Sequence, residues 1–185
     1  MAVVLENLII EAGHFKLGPL QFEFQSGLNF LRGPNGSGKT TLLRAILGRI
    51  RPSQGKIRGL RFPAICVGAE GLLFGSWTVE ENLRWFSSCF KDRGEFKPEK
   101  FRAIQRFFAL QVDHLSLGMK RQVELSVAIE LPFQSLLLDE PLSPLDEKER
   151  AAYLSRLRQI PDKFVIMSSH EFQEDRSGGA GVLNL

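Results

Sequence analysis

The sequence predicts an α/β fold with a mostly parallel sheet, an antiparallel β piece at the N-terminus and a small helical lobe. Three observations predict it. Short runs with little polar interruption, Leu28–Leu31, Ser135–Leu138 and Phe164–Met167, read as strands buried on both faces, as in a parallel sheet. Segments of helical period separate them, which is the alternation of an α/β chain. Before the first of these strands, Leu20–Phe24 alternates Leu, Gln, Phe, Glu, Phe, the period of a half-buried antiparallel strand.

In chain order, residues 2–10 read as a strand, and Gly13, Gly18 and Pro19 punctuate a turn before the alternating strand at 20–24. Ser26-Gly27 turns the chain into the strand at 28–31. A glycine-rich loop follows, then a helix over Thr41–Leu47 closed by Gly48. Pro52, Gly55 and Gly59 make residues 49–60 a loop region with a short β piece at Lys56–Arg58, and Phe62–Val67 is an apolar strand. Thr78 with Glu81 three residues on has the form of a capping box and starts a helix. Phe101, Ile104, Phe107 and Phe108 recur at helical spacing after Pro98, as core packing does. Ser116 begins a third helix with Met119, Val123 and Val127 in i, i+4 steps. Asp146 with Glu149 opens another, running to about Ile160. Ser177–Gly181 reads as a flexible turn before a last short apolar piece at 182–185. The expected organisation is one domain over 1–185, with a helical lobe of about 78–130 inserted in the core.

The chain has 185 residues, 43% of them hydrophobic and 24% charged, enough apolar mass for a real core. The net charge of +3 is too weak to argue for nucleic acid. A local basic run, Arg44, Arg49, Arg51, Lys56, Arg58 and Arg61, reads as a solvated surface. Two cysteines, Cys66 and Cys89, make no disulfide framework and fit a reducing compartment. The N-terminus lacks a basic region and meets Glu6 early, unlike a signal peptide. No apolar stretch approaches the roughly 20 residues of a membrane span. Work at a membrane is therefore expected to go through a partner, from a cytoplasmic position.

The chemistry starts in the loop after Leu31. Gly33, then Pro34, Asn35, Gly36 and Ser37, then Gly38, Lys39 and Thr40 spell the phosphate-binding pattern G-x-x-x-x-G-K-[ST], with a strand before it and a helix after. This marks a P-loop NTPase core. The glycines let the backbone curl and turn its N–H groups inward, and with Thr41 they open a helix whose N-terminus favours polyphosphate. Lys39 reaches the outer phosphates of ATP, and the Thr40 hydroxyl is a ligand for Mg²⁺. His14 or Phe15 could stack on the adenine ring, with a plain core aromatic the competing reading for Phe15. The run Leu136–Leu138 ends in Asp139-Glu140. An Asp at such a strand end holds Mg²⁺, and the adjacent Glu140 is then free to deprotonate the attacking water.

These motifs together resemble the nucleotide-binding subunit of an ATP-binding-cassette (ABC) transporter. Gly33–Thr40 resembles the family's Walker A loop and Leu138–Pro141 its Walker B. Leu115–Met119 is similar to the signature Leu-Ser-Gly-Gly-Gln, Ser143–Asp146 to the D-loop, and His170 sits where the switch histidine belongs. The similarity covers nearly the whole chain. It implies that Ser116 and Gly118 bind the γ-phosphate held by a second subunit, so that ATP is sandwiched in a head-to-tail dimer of two copies or of this chain with a paralogue. It also implies that His170 contacts the γ-phosphate in its own chain, and that an integral membrane permease subunit is the partner.

The chain departs from the family pattern in places. Leu117 and Met119 replace the signature's first Gly and its Gln. The glutamine that usually links nucleotide to helical lobe is absent, its place falling on Ala69 or on Glu70, whose carboxylate could supply oxygens to Mg²⁺ or water. The Leu42–Gly48 helix and the signature resemble exporter-type or haem-exporter-type cassettes. Two alternatives stand beside a transport ATPase: a soluble, non-transport ABC ATPase, and a poorly hydrolysing ATP-binding half of a heteromeric pair.

Overall fold

The computed structural model describes residues 2–90, 96–160, 162–169 and 181–185. Strands β1 (Val3–Ala12), β2 (Phe15–Phe24) and β4 (Gln54–Arg58) form an antiparallel sheet in the order β2-β1-β4. Strands β3 (Gly27–Arg32), β5 (Ala64–Val67), β6 (Ser135–Leu138), β7 (Phe164–Ser169) and β8 (Gly181–Asn184) form a second sheet in the order β5-β6-β7-β3-β8. Every pairing in the second sheet is parallel. The helices are α1 (Lys39–Ile46), α2 (Val79–Ser88), α3 (Leu117–Glu130) and α4 (Glu147–Gln159).

Alternate side chains of the parallel sheet enter two separate cores, because successive residues of a strand point to opposite faces. Leu136, Leu138, Val165 and Met167 pack with α2, α3 and α4 through Leu83, Leu125 and Leu157. Leu137, Phe164, Ile166 and Leu31 pack instead with α1 and the antiparallel sheet, through Leu42, Leu43, Leu5 and Phe24. Both faces are covered, which is why these strands carry continuous apolar runs. Among the described residues no helix is long and apolar enough to cross a membrane.

Several expectations need correction. The turn between β1 and β2 lies at Gly13-His14, and Gly18-Pro19 falls inside β2. Gly18 has φ +107°, and a Cβ there would collide with the Leu8 carbonyl. That close approach coincides with the register shifts at Leu8, a β-bulge that only glycine admits. Pro19 is tolerated because β2 is an edge strand. Phe62 lies outside the strand and is 64% exposed. The segment after Pro98 is a 3₁₀ stretch, Pro98–Phe107, broken at Phe101 (φ −103°, ψ 24°), yet it buries the expected Phe101, Ile104 and Phe107. Helix α1 starts two residues earlier than read, at Lys39.

The helix starts follow the residues that were read as caps. Thr78 Oγ1 accepts the Glu81 N–H at 3.2 Å and Glu81 Oε2 accepts the Thr78 N–H at 2.7 Å, a complete capping box. At α4 only the first half forms: Asp146 Oδ1 accepts the Glu149 N–H at 2.8 Å, while the Glu149 carboxylate takes the Gln122 side chain at 2.7 Å.

Candidate functional site

The phosphate-loop pattern folds as a turn between β3 and α1. The Ser37 N–H donates to the Pro34 carbonyl at 3.2 Å. Gly36 and Gly38 sit at φ +82° and +101°, where an L side chain is strained. Gly38 is also packed against an aromatic ring, since a Cβ on it would stand 2.7 Å from Phe15 Cζ. Phe15 thereby forms a half-buried wall beside the loop, and His14 is exposed.

Phe15, Asn35, Gly36, Gly38, Lys39, Thr40 and Thr41 line one cavity of about 680 Å³, together with Asp139 and Glu140. Gly33, Pro34 and Ser37 are not among its lining residues. Lys39 is buried, and its ammonium donates to the Gly33 and Pro34 carbonyls at 2.8 and 3.1 Å. It also lies 3.5 Å from Glu140 Oε1. Burying a cation this deeply requires such acceptors. The Ser37 hydroxyl is buried without a hydrogen-bond partner among the described residues, a polar atom that an anion in the loop would satisfy.

The second part of the cavity is the end of β6. The Asp139 N–H donates to the Val67 carbonyl at 2.7 Å, which extends the β5–β6 ladder by one residue. Thr40 Oγ1 donates to Asp139 Oδ2 at 2.6 Å. This bond brings the two expected metal ligands together, and hydroxyl plus carboxylate oxygen is a donor set that suits Mg²⁺. Glu140 turns off the strand with φ +46°, an unusual backbone for a non-glycine residue. Its carbonyl accepts the Ser143 hydroxyl at 3.0 Å.

Sequence reasoning missed two residues here, Ser168 and Arg121. Ser168, at the end of β7, donates to Asp139 Oδ1 at 2.7 Å and accepts the Glu140 N–H at 2.8 Å. Its only signal was its place at a buried strand end beside the carboxylate strand. Ser143 and Arg121 also line the cavity, and nothing in their spacing marks Arg121. Ala69, one of the two positions read for the missing glutamine, lines it as well. Glu70, the alternative, does not line this cavity and pairs with Arg44, and with Arg49 at 3.3 Å. Two cations of the basic run thus face this carboxylate, and Glu70 shares a neighbouring pocket with Thr40 and Asp139.

Ser116 and Gly118 are not in this cavity. They border a separate open depression with Met119 and Asp146, and among the described residues the two concavities share only Leu117 and Pro144. Ser116 caps α3, accepting the Met119 N–H at 3.3 Å, and Gly118 leaves room for the Pro144 carbonyl, which a Cβ would meet at 2.8 Å. His170 lies outside the described residues.

The ABC transporter profile matches residues 17–143 of this chain. A Nod factor export ATP-binding protein of Neorhizobium galegae is 33% identical over 175 residues, 84% of this chain and 50% of that one. A "Probable sulfate/thiosulfate import ATP-binding protein" of Chlorella vulgaris is 30% identical over 199 residues, covering 94% and 83% of the two chains. ABC transporter G family member 20 of Dictyostelium discoideum is 32% identical over 94% of this chain, which spans 27% of that protein's length. An ABC transporter ATP-binding protein of Pyrococcus furiosus shares the fold with a TM-score of 0.85 at 23% identity, over 100% of this chain and 98% of that one. With Walker A, Walker B and signature residues placed as described, the chain belongs to the ABC transporter family.

Proposed function

We propose that this chain is an ATP-binding and hydrolysing subunit that powers a transporter through head-to-tail dimerisation and docks on a membrane-spanning subunit at the cytoplasmic face. The observation that carries the reading is the convergence of Lys39, Thr40, Asp139 and Glu140 on one cavity at the ends of β3 and β6. The relatives include both an import and an export protein at near-equal identity, so the exporter-type resemblance is not part of the proposal.

Each side chain has one task in this reading. Phe15 offers a ring face to adenine. Lys39 exchanges its loop carbonyls for phosphate oxygens. Thr40 and Asp139 would hold Mg²⁺, which supplies charge neutralisation on the outer phosphates when bound. Glu140, fixed by Ser168 and facing Lys39, takes a proton from the attacking water, and the products are ADP and phosphate. Ser116 and Gly118, facing away, serve the nucleotide of the opposing subunit at an electropositive helix start, and His170 adds a γ-phosphate contact in its own chain.

The test is the steady-state ATPase rate against protein concentration, for the wild type and Glu140→Gln. A rate per subunit that climbs with concentration, and falls about 10²- to 10⁴-fold in the variant, is expected for general-base loss at a composite site. Activity that survives Glu140→Gln overturns the mechanism. Ala69, which brings no polar group to the cavity, favours a second reading, the poorly hydrolysing half of a heteromeric pair. A flat, near-background rate with ATP still bound would select it.

A further inference from the structure

The cavity holds a cation that none of the motifs accounts for. Arg121 lies one turn into α3, its side chain only 8% exposed, and it lines the cavity beside Asp139 and Glu140. Its Nη2 donates to the Gly68 carbonyl at 3.3 Å. Its Nη1 is 3.4 Å from Glu124 Oε2, and among the described residues neither Nη1 nor Nε has a hydrogen-bond acceptor. A guanidinium has five N–H donors and cannot shed its proton. Leaving several of them buried and unsatisfied is costly unless an acceptor arrives.

The neighbouring contacts show what such an acceptor would control. Glu124 Oε1 accepts the Leu72 N–H at 2.9 Å. Loop 68–72 is therefore stitched to α3 twice, through Arg121 at Gly68 and through Glu124 at Leu72. The same loop is held by Glu70 to Arg44 on α1 and to Arg49 just beyond it. Gly68 lies against Asp139, whose Cβ would be 3.4 Å from a Cβ on that glycine. Arg121 lines the same cavity as Asp139, Glu140 and Ser143, and Gly68, whose carbonyl it holds, packs against Asp139.

We infer that Arg121 is a second phosphate-sensing cation of this site, whose unsatisfied N–H groups take the terminal phosphate of a bound nucleoside triphosphate and so tie α3 and loop 68–72 to the triphosphate state. This rests on the reading that the cavity binds Mg-ATP. A diphosphate leaves the guanidinium as it stands in the free chain. The triphosphate adds acceptors, and planar bidentate recognition of phosphate suits arginine better than lysine.

The experiment is calorimetric titration of the full chain with Mg-AMP-PNP and, separately, with Mg-ADP, for the wild type, Arg121→Gln and Arg121→Lys. Arg121→Gln is expected to weaken AMP-PNP about tenfold while ADP changes less than twofold, with Arg121→Lys between wild type and Gln. Equal losses for both nucleotides, or no loss for either, overturn the inference. Where Arg121→Gln does not fold, Arg121→Lys carries the test alone: a three- to tenfold loss confined to AMP-PNP supports the sensing role, and anything else overturns it. A wild type that binds neither nucleotide overturns the ATP reading itself, an outcome visible without any variant.

Discussion

Ser168 donates to Asp139 and accepts the backbone N–H of Glu140, so one hydroxyl sets the angle of both carboxylate-bearing residues. Ser168→Ala removes the donor and leaves the Glu140 N–H without its acceptor. The expected result is a fall in kcat of about tenfold or more, as when an outer partner of a metal-ligating carboxylate is lost, with KM for ATP little changed. A stability loss of about 1–3 kcal/mol should accompany it, measured by denaturant unfolding. An unchanged kcat would remove Ser168 from the machinery. At this scale the sequence displayed the loop residues and the carboxylate pair because their spacing along the chain is their function: Gly33 to Thr40 is one turn, and Asp139-Glu140 is one strand end. Ser168 and Arg121 come from other elements and act through contacts 29 and 53 residues apart in the chain, which no local pattern records. The pairing of Glu70 with Arg44 and Arg49, 26 and 21 residues away, is equally absent from any local pattern.

Helix α3 has no basic residue in its last turn, so its C-terminal carbonyls need a cap from outside. Lys163, just before β7, supplies one: its ammonium donates to the carbonyls of Ala128, Ile129 and Leu131 at 3.1, 2.7 and 2.7 Å. Burial pushes this lysine down to about 8, against the pull of Glu130, and Lys100 lowers it further. Lys163→Met should destabilise the fold by about 1–3 kcal/mol at neutral pH, through three carbonyls left without donors. The pH dependence has a definite sign. The unfolded chain keeps the proton up to the ordinary lysine value of 10.5, whereas the folded chain sheds it near 8, so the unfolded state binds more protons in between. Wild-type stability therefore rises relative to Lys163→Met from about pH 8 to about 10.5. The gap should widen by about 1–2 kcal/mol, discounted because the amine is partly exposed. Denaturant midpoints of both proteins across this range check it, and a constant gap would mean an unshifted lysine. The elements themselves were legible where period and caps agreed, as at Thr78, Ser116 and Asp146. They were illegible where tertiary packing overrode the local pattern. Phe101 keeps its burial while the backbone around it tightens into 3₁₀ form, and Pro19 sits in a strand because that strand is at an edge.

For the molecule as a whole, the consequential fact is that Lys39 and Ser116 open onto different concavities of one chain. A chain acting alone could use each of them, but not on the same phosphate. If two copies pack head to tail, each nucleotide takes Lys39 from one copy and Ser116 from the other, and the site is complete only in the pair. This separates a composite site from a self-contained one by complementation. Lys39→Ala and Ser116→Arg should each lower the ATPase rate at least about 10²-fold, as loss of a phosphate-stabilising donor does. In a mixed dimer, one site pairs the intact Lys39 of the second variant with the intact Ser116 of the first, while the other site carries both lesions. Mixing the two inactive proteins in equal amounts should therefore restore activity toward about a quarter of the wild-type rate, from half the dimers each with one working site. The restored rate should follow the concentration of either variant added to a fixed amount of the other. Glu140→Gln placed in the Ser116→Arg chain should abolish the recovery, because the intact Lys39 and the working base belong to that same chain; placed in the Lys39→Ala chain it should leave the recovery in place. Recovery that ignores which chain carries Glu140→Gln, or no recovery at all from two folded variants, would mean that each subunit works its site without its neighbour.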